Sequence, residues 1–269
     1  MPDNSTTNSW LFPPQTREVQ FDEKWSFVEK KEHHCDPQDP EDARKGDHWD
    51  HVAFDPVHRL VVSVVPGKRT AKNLEKLVRD FKRRTRGRLM DLITSDEYRP
   101  YKGVILKVYG RKKRLWPWGK RGRPPRPRKV PLKGLKYAVV HKTRKMGRVV
   151  KVALRVVFGD KREVKAALRA SPVSSKINTA FVERHNATDR HRNGRKVRKT
   201  YCFSKDWAMH EAATYYTMYS YNFCWPVRTL RRKGPDGRWQ LVTPAMAAGL
   251  ADHPWSLDEW LTYPIVQYK

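Results

Sequence analysis

Residues 18–28 read EVQFDEKWSFV, and apolar side chains occupy nearly every second position of this stretch. Alternation with a period of two is typical of a β-strand that buries one face. Asp22 lies inside the stretch among aromatic neighbours, where a carboxylate is costly unless it is paired or bound to a metal. The stretch therefore predicts a first strand whose internal acid has a partner.

The segments that follow predict two more strands and a helix. Strands are expected at about 49–54 and 60–65, joined by a short turn. Over residues 70–85 the apolar positions change to helical spacing, with Lys and Arg on the opposite face. Thr70 is a suitable N-cap for this helix, and Gly87 is a suitable stop.

The next apolar run, 88–93, predicts a fourth strand that ends at Thr94-Ser95-Asp96. A helical crossover returns the chain to a strand parallel to the first one. Three strands, a helix and a strand in this order are typical of a ribonuclease-H-like core. We therefore predict an α/β fold with a mixed sheet of three antiparallel strands followed by parallel strands, flanked by helices and carrying a basic insertion.

Further elements are predicted downstream. Residues 137–140 and 148–158 are rich in β-branched side chains and predict a β-hairpin. A helix is expected to begin near Ser174 or Ser175, and a second one to span about 204–223.

These elements predict a flexible lead-in at 1–17, one domain at 18–225, and a tail with short helices at 226–269. The stretch 111–134 differs in kind, because it holds 11 Lys and Arg and no acid. Such a composition disfavours burial. The stretch is therefore either a solvated insertion or an arm that contacts phosphates.

The charge of the chain is strongly positive and unevenly distributed. The chain carries 57 Lys and Arg against 28 Asp and Glu, a net charge of +29. Residues 1–60 hold 7 basic and 13 acidic residues, and the remainder holds 50 basic and 15 acidic ones. So much self-repulsion predicts a polyanionic partner, with nucleic acid favoured over an anionic membrane surface. A signal-peptide pattern and a membrane-spanning run are both missing, which predicts a soluble, cytoplasmic protein.

Three acids stand at positions suited to metal-dependent chemistry. Asp22 falls in a strand, Asp96 at a strand end and Glu183 on a helix. Phosphodiester cleavage needs an activated water and a stabilised leaving oxygen, which two divalent metals held by carboxylates can supply. Spacings of three and seven residues place Asn186 and Arg190 on the same helix face as Glu183.

Each of these acids also has an ordinary interpretation. Asp22 is equally an acid of an edge strand, and Asp96 a turn residue or a helix cap. Glu183 is equally one half of a surface ion pair with Arg184. The local competitors of Asp96 for its role are Asp91 and Glu97.

Three stretches of the chain carry a resemblance to a known family. They are FDEKWSFVEKK (21–31), ITSDEYRPY (93–101) and FVERHNATDRHRNGRKVRKTYCFSKDWAMH (181–210). They resemble bacterial insertion-sequence transposases of the insertion-sequence-one type, within the retroviral-integrase-like DDE superfamily. The family binds Mg²⁺ through the Asp of a DExW strand, the Asp at a T-x-D or T-D strand end and the Glu of an ERxN helix. By position, the resemblance implies metal ligands at Asp22, Asp96 and Glu183, with Asn186 and Arg190 as supporting residues.

The resemblance implies a metal-dependent DNA transposase, which cleaves a DNA strand and joins the freed 3′-hydroxyl to target DNA. It implies two Mg²⁺ ions, with Mn²⁺ as a substitute. It also implies double-stranded DNA as partner and a homo-oligomer that holds two transposon ends. Family members usually begin with an end-recognition module, which the short lead-in here does not provide. Two alternatives stay open: a decayed or domesticated DNA-binding protein of the same fold, and a structure-selective nuclease.

Two groups of basic residues are predicted to contact DNA phosphates. One group crowds the predicted catalytic helix and the loop after it, and the other belongs to the basic insertion. The first comprises Arg184, Arg190, Arg192, Arg195, Lys196, Arg198 and Lys199, and the second comprises Lys112, Lys113, Arg121 and Arg123.

Overall fold

The computed structural model describes residues 15–113 and 126–263. The strands are β1 (Glu18–Val28), β2 (Gly46–Asp55), β3 (Leu60–Gly67), β4 (Leu92–Asp96), β5 (Gly110–Lys113), β6 (Arg128–Pro131), β7 (Tyr137–Lys145), β8 (Arg148–Phe158), β9 (Arg232–Lys233) and β10 (Trp239–Gln240). The α-helices are α1 (Ala71–Arg84), α2 (Pro100–Tyr109), α3 (Lys161–Ala170), α4 (Ala180–Arg192), α5 (Trp207–Cys224), α6 (Pro244–Ala247) and α7 (Leu257–Thr262).

A mixed sheet of six strands, in the order β3-β2-β1-β4-β7-β8, is the centre of the fold. β1 pairs antiparallel with β2, and β2 pairs antiparallel with β3. β4 lies parallel to both β1 and β7, and β8 returns antiparallel at the edge. Helices cover both faces, so the predicted α/β class and mixed sheet are confirmed.

The central strand β1 separates two kinds of packing. Its apolar residues Val19 and Phe21 are fully buried against α1 and α2. The ring centroids of Phe21 and Phe81 lie 5.5 Å apart. Its alternate residues are polar and point to the opposite face, which α3, α4 and α5 cover. Thr70 caps α1 as predicted, since its hydroxyl accepts from the Asn73 amide at 3.2 Å.

Two predicted boundaries are wrong. β4 begins at Leu92 rather than at residue 88, because Arg86 and Gly87 adopt positive φ angles of 52° and 75° and turn the chain. α4 begins at Ala180 rather than near residues 174–175, because Gln20 of β1 accepts from the first-turn amides of Phe181 and Val182. α2 and α3 are additional helices, and α2 has a proline in its first turn.

The acids and the basic insertion lie at opposite ends of the sheet. β4 ends at Asp96, and α2 then runs back toward the amino end of β4. The end of α2 lies near the end of α1, because the Val108 carbonyl accepts from Lys82 Nζ at 2.9 Å. β5 and β6 form a separate ribbon there, and the Ile93 amide bonds to Lys136 just after it. The described base of the basic insertion therefore lies at the amino end of β4, away from Asp96.

The described part of the predicted tail packs into the main core. Ala245, Ala248 and Leu250 are buried in the same cluster as β1, α1 and α2. The Trp255 amide donates to the Phe223 carbonyl at 3.1 Å and ties the tail to α5. Within 15–113 and 126–263, the structure contains no helix that is long and apolar enough to cross a membrane.

Replacing Leu77 with Ala tests the packing of α1, because Leu77 is fully buried in the main core. The lost contacts and the cavity are expected to lower the free energy of unfolding by about 2–5 kcal/mol. Lys76→Ala, at the exposed neighbouring position, is the control and is expected to change it by no more than about 0.5 kcal/mol. Urea denaturation measures both, and equal effects would contradict this account of α1.

Candidate active site

Two carboxylates lie side by side where β1 and β4 run parallel. Phe21 is opposite Ser95 in the register of the two strands, so the next residues, Asp22 and Asp96, are neighbours. Since side chains alternate along a strand, both acids point to the face that α4 covers. Asp22 is half-buried, and the Asp96 side chain is 37% exposed at the end of its strand.

The helix α4 brings the third acid to this pair. Asn186 Nδ2 donates to Asp22 Oδ2 at 2.8 Å. Glu183 lies one turn earlier on the same helix face and is close enough for its charge to act on Asp22. Thr179 Oγ1 donates to Glu183 Oε1 at 2.5 Å. The acids predicted from the sequence, together with Asn186, therefore lie at the same end of the sheet.

A side chain from β1 fixes the start of α4. Gln20 Oε1 accepts from the amides of Phe181 and Val182, each at 3.1 Å, and its Nε2 donates to the Asn178 carbonyl at 3.0 Å. Amides in the first turn of a helix have no partner within the helix, so this side chain acts as the cap. The beginning of α4 is thus anchored two residues from Asp22 on the same strand face.

The electrostatics of the site favour a cation. Burial, together with the charges of Asp96, Glu23 and Glu183, raises the pKa of Asp22 to about 7. Burial and the charge of Glu23 raise the pKa of Asp96 to about 6, although Arg69 and Lys142 act in the opposite direction. Carboxylates this close repel one another, and a positive charge among them would relieve that repulsion.

A lysine from the neighbouring strand occupies part of this space. Asp96 is opposite Val140 on β7, so Lys142, two residues further, points to the same face. Lys142 Nζ lies 2.5 Å from Glu183 Oε1, and its side chain is half-buried. Lys142 therefore holds Glu183 and also lowers the pKa of Asp96.

An arginine supports the other side of the carboxylate pair. Arg69 Nη2 lies 3.0 Å from Glu23 Oε2 and 4.0 Å from Asp96 Oδ2. Its guanidinium stacks 4.0 Å from the centroid of the Tyr98 ring, and the Tyr98 amide donates to Asp96 Oδ1 at 3.2 Å. These contacts fix the position of Asp96 at the end of β4.

Three side chains of the site offer oxygen atoms of the kind that a divalent metal binds. Asp22 and Asp96 offer hard carboxylate oxygens on adjacent strands, and Asn186 Oδ1 is buried without a hydrogen-bond partner. In the part of the chain that the structure describes, no three His, Cys, Asp or Glu side chains stand together as a ligand set. Glu183 binds Lys142 and Thr179 instead, both through Oε1.

A buried ionic network lies beside the site. Lys24 Nζ is 3.1 Å from Asp50 Oδ2 and also contacts Asp189 of α4. Lys196 Nζ is 2.5 Å from the same Asp50 oxygen and contacts Thr214 of α5. The pKa of Asp50 is lowered, because the charges of Lys196 and Lys24 outweigh the effect of burial. The network joins β1 and β2 to the two helices above them.

This network corrects one predicted DNA contact. Lys196 is only 2% exposed and its ammonium group is paired with Asp50, so it stabilises the fold and does not reach a phosphate. Arg190 is half-buried, and its two terminal nitrogens donate to the carbonyls of Trp25 and Lys196 at 2.9 and 3.0 Å. Arg190 therefore supports the site by tying α4 to β1.

The other predicted contacts are more accessible. Arg184, Arg198 and Lys199 are exposed, Arg195 is half-buried, and the Arg192 guanidinium lies 4.2 Å from the Trp225 ring centroid. Lys112 and Lys113 are exposed on β5, at the end of the sheet away from Asp96. Arg121 and Arg123 lie outside the described residues.

The two competitors of Asp96 have other partners. Glu97 Oε2 bonds to His141 Nδ1, and Arg155 Nη2 lies 2.6 Å from Glu97 Oε1. Asp91 pairs with Arg17 at 2.6 Å, just before β4 begins. Of these acids, only Asp96 lies beside Asp22.

Sequence reasoning missed Arg69, Lys142 and Asp50. Thr70 has the residue type of a helix cap, but nothing local shows that the preceding Arg69 reaches a carboxylate 27 residues later. Lys142 and Asp50 gain their roles from strand pairing and helix packing. No sequence signal at either position reports those contacts.

Comparisons with protein-family models, with curated proteins and with solved structures found no match to this chain.

Replacing Lys196 with Met tests the buried network. The substitution removes one partner of a buried ion pair and is expected to lower the free energy of unfolding by about 3–5 kcal/mol. Lys199→Met, three residues away and exposed, is the matched control and should cost no more than about 0.5 kcal/mol. Chemical denaturation of the two variants compares them. A Lys196 variant as stable as the control would show that the network contributes nothing.

Replacing Lys142 with Met tests whether this lysine holds Glu183 away from the carboxylate pair. Freeing Glu183 and removing a nearby positive charge should tighten Mn²⁺ binding about tenfold, which corresponds to about 1.4 kcal/mol. Isothermal titration calorimetry without DNA gives the affinity. Lys145→Met removes the same charge further along β7 and should change it little. If both variants tightened binding equally, the effect would come from net charge and not from the contact with Glu183.

Proposed function

We propose that this chain is the catalytic domain of a DDE-type DNA transposase, similar to transposases of the insertion-sequence-one type. The observation that carries the proposal is the juxtaposition of Asp22 and Asp96 on adjacent parallel strands, with Glu183 and Asn186 approaching from α4. The acids come from three segments far apart in sequence, and each was expected from its place in the predicted elements as well as from the resemblance.

The sheet supports a ribonuclease-H-like fold for this domain. The order β3-β2-β1-β4-β7 combines an antiparallel meander with two strands parallel to β1. In open sheets of this kind, ligands bind outside the carboxyl ends of parallel strands. Asp96 occupies such a strand end, which is where a reacting phosphate would be placed.

The side chains have distinct roles in the proposed reaction. Asp22, Asp96 and Glu183 would hold one or two Mg²⁺ ions, with Mn²⁺ as a substitute. Bound metal supplies an activated water and a stabilised leaving oxygen. Asn186 orients Asp22 through its hydrogen bond, and Arg69 fixes Asp96 from the side opposite α4. Water would attack the phosphodiester at the transposon end and release its 3′-hydroxyl, which would then attack a target phosphodiester, form the new P–O bond and displace the target 3′-oxygen.

Double-stranded DNA is the proposed partner, and the charge of the chain supports this choice. With a net charge of +29, the protein has an excess of groups that pair with phosphates. The exposed residues Arg184, Arg198 and Lys199 lie on or after the helix that carries Glu183. Joining two transposon ends would require a homo-oligomer on DNA.

One observation favours a second candidate, a DNA-binding protein of the same fold without catalysis. Lys142 holds Glu183, and no three acids form a ligand set within the described residues. A structure-selective nuclease would use the same three acids, and it differs in its products. A nuclease leaves cut ends, whereas a transposase leaves joined ones.

Strand cleavage and joining on a labelled oligonucleotide that carries the flanking inverted repeat tests the proposal, with Mg²⁺ or Mn²⁺ present. Glu183→Gln and Asp22→Asn each remove a charged ligand and are expected to lower the cleavage rate by more than about 100-fold. DNA affinity, measured separately by gel shift, should change little, because neither substitution removes a positive charge that could pair with a DNA phosphate.

Glu97→Gln is the matched control, because this acid adjoins Asp96 but bonds to His141 and Arg155. It should retain most of the cleavage activity. DNA binding without cleavage by the wild type would identify the non-catalytic alternative, and cut but unjoined products would identify the nuclease. Normal cleavage by Glu183→Gln would refute the assigned site.

A further inference from the structure

A long part of this chain contains no acid, and its described residues include two ribbons at opposite ends of the sheet. Residues 98–159 hold 21 Lys and Arg and no Asp or Glu. The β5–β6 ribbon leaves at the amino end of β4. The distal part of the β7–β8 hairpin, residues 141–155, leaves at the carboxyl end, where Asp96 lies. We call this second ribbon the β7–β8 arm.

The arm begins at the candidate active site and extends beyond it. β4 ends opposite Val140, and β7 continues to Lys145 with β8 as its partner. Five further residues of strand extend the arm by roughly 16 Å past the level of Asp96. At its base, Lys142 binds Glu183 and Arg155 binds Glu97, so the arm is fixed relative to the carboxylates.

The arm combines basic and apolar side chains on an exposed surface. Lys142 is opposite Val152 and Val140 is opposite Leu154, and opposed residues project to the same face. Val152 and Leu154 therefore point to the face of Asp96, yet they are 54% and 47% exposed. Lys145, Arg148 and Lys151 are exposed further along the arm.

The charge of the arm decides which partner suits this surface. A second copy of the chain could add a strand to the edge of β8. Each arm, however, carries six Lys and Arg and no acid, so two arms side by side would repel each other. Duplex DNA has the complementary charge. Its major groove, about 12 Å wide, admits a two-stranded β-ribbon, with phosphates on the walls and thymine methyl groups on the floor.

We propose that the β7–β8 arm is a duplex-DNA binding element that enters the major groove of the DNA beside the cut site. Lys145 and Lys151 contact phosphates, and the exposed aliphatic side chains contact the groove. The inference rests on the proposed function, because it takes the carboxylate end of the sheet as the place where DNA is cut. It assigns DNA contact to residues 141–155 in addition to the basic insertion.

The double variant Lys145→Gln/Lys151→Gln tests the arm, with the full-length chain and a fluorescein-labelled DNA duplex. Fluorescence anisotropy at several salt concentrations gives the slope of log Kd against log salt. Two lost phosphate contacts should weaken binding and reduce this slope by about 1.8, since each contact contributes about 0.9. Lys72→Gln/Lys76→Gln is the matched control, because both lysines are exposed on α1, across the sheet from α4. The control should keep the slope of the wild type.

The outcomes separate the two proposals. If the wild type binds duplex DNA and the arm variant keeps its affinity and slope, the arm is not a DNA-binding element, and the proposed function still stands. If the wild type does not bind duplex DNA at all, both proposals fail. The variant Val150→Thr/Val152→Thr removes exposed apolar groups of the arm but keeps its shape and strand preference, and sedimentation gives its mass. If this variant has half the mass of the wild type and the same DNA affinity, the arm is an interface between two copies, and the inference is overturned.

Discussion

The contact between β1 and α4 is made by a column of polar side chains, and the geometry of the candidate site depends on it. Gln20 caps the first turn of α4, Asp22 accepts from Asn186 near its middle, and Lys24 pairs with Asp189 near its end. Each contact is largely removed from water, so a shift of the helix by one residue would leave several polar groups unpaired. The polar contacts therefore fix the register of α4, and with it the position of Glu183.

The parts of the fold that the sequence predicted well have signals within a few residues. β1 has the predicted bounds because apolar and polar residues alternate through 18–28. Thr70 caps α1 and Gly87 follows it with a positive φ, both as their residue types suggest. The hairpin of β7 and β8 turns at Met146 and Gly147, between two runs of β-branched residues.

The parts that could not be predicted depend on partners far away in the chain. Serines near residue 174 suggest the start of a helix, but the cap of α4 is Gln20. It accepts hydrogen bonds from the amides of Phe181 and Val182, which lie 161 and 162 residues later in the chain. Lys196 resembles the other basic residues around it, and only Asp50, 146 residues earlier, makes it a buried structural cation. The three acids are marked by their places in the predicted elements and by a family resemblance, whereas Lys142 has no motif and gains its role only because β7 pairs with β4.

The cations beside the carboxylates connect metal binding to DNA binding in the proposed function. Four acids, Asp22, Glu23, Asp96 and Glu183, would repel a phosphate if nothing compensated them, and Lys142 neutralises part of this charge. Glu183 Oε1 could serve as a metal ligand only if Lys142 moved away, and the lysine ammonium group would then stand free at the base of the β7–β8 arm. A phosphate bound there would in turn stabilise the displaced lysine. Because coupling between two ligands is reciprocal, metal and DNA would each raise the affinity of the protein for the other by the same factor. A site arranged in this way would bind its metal weakly until DNA is present, so tight metal binding would be limited to the protein–DNA complex.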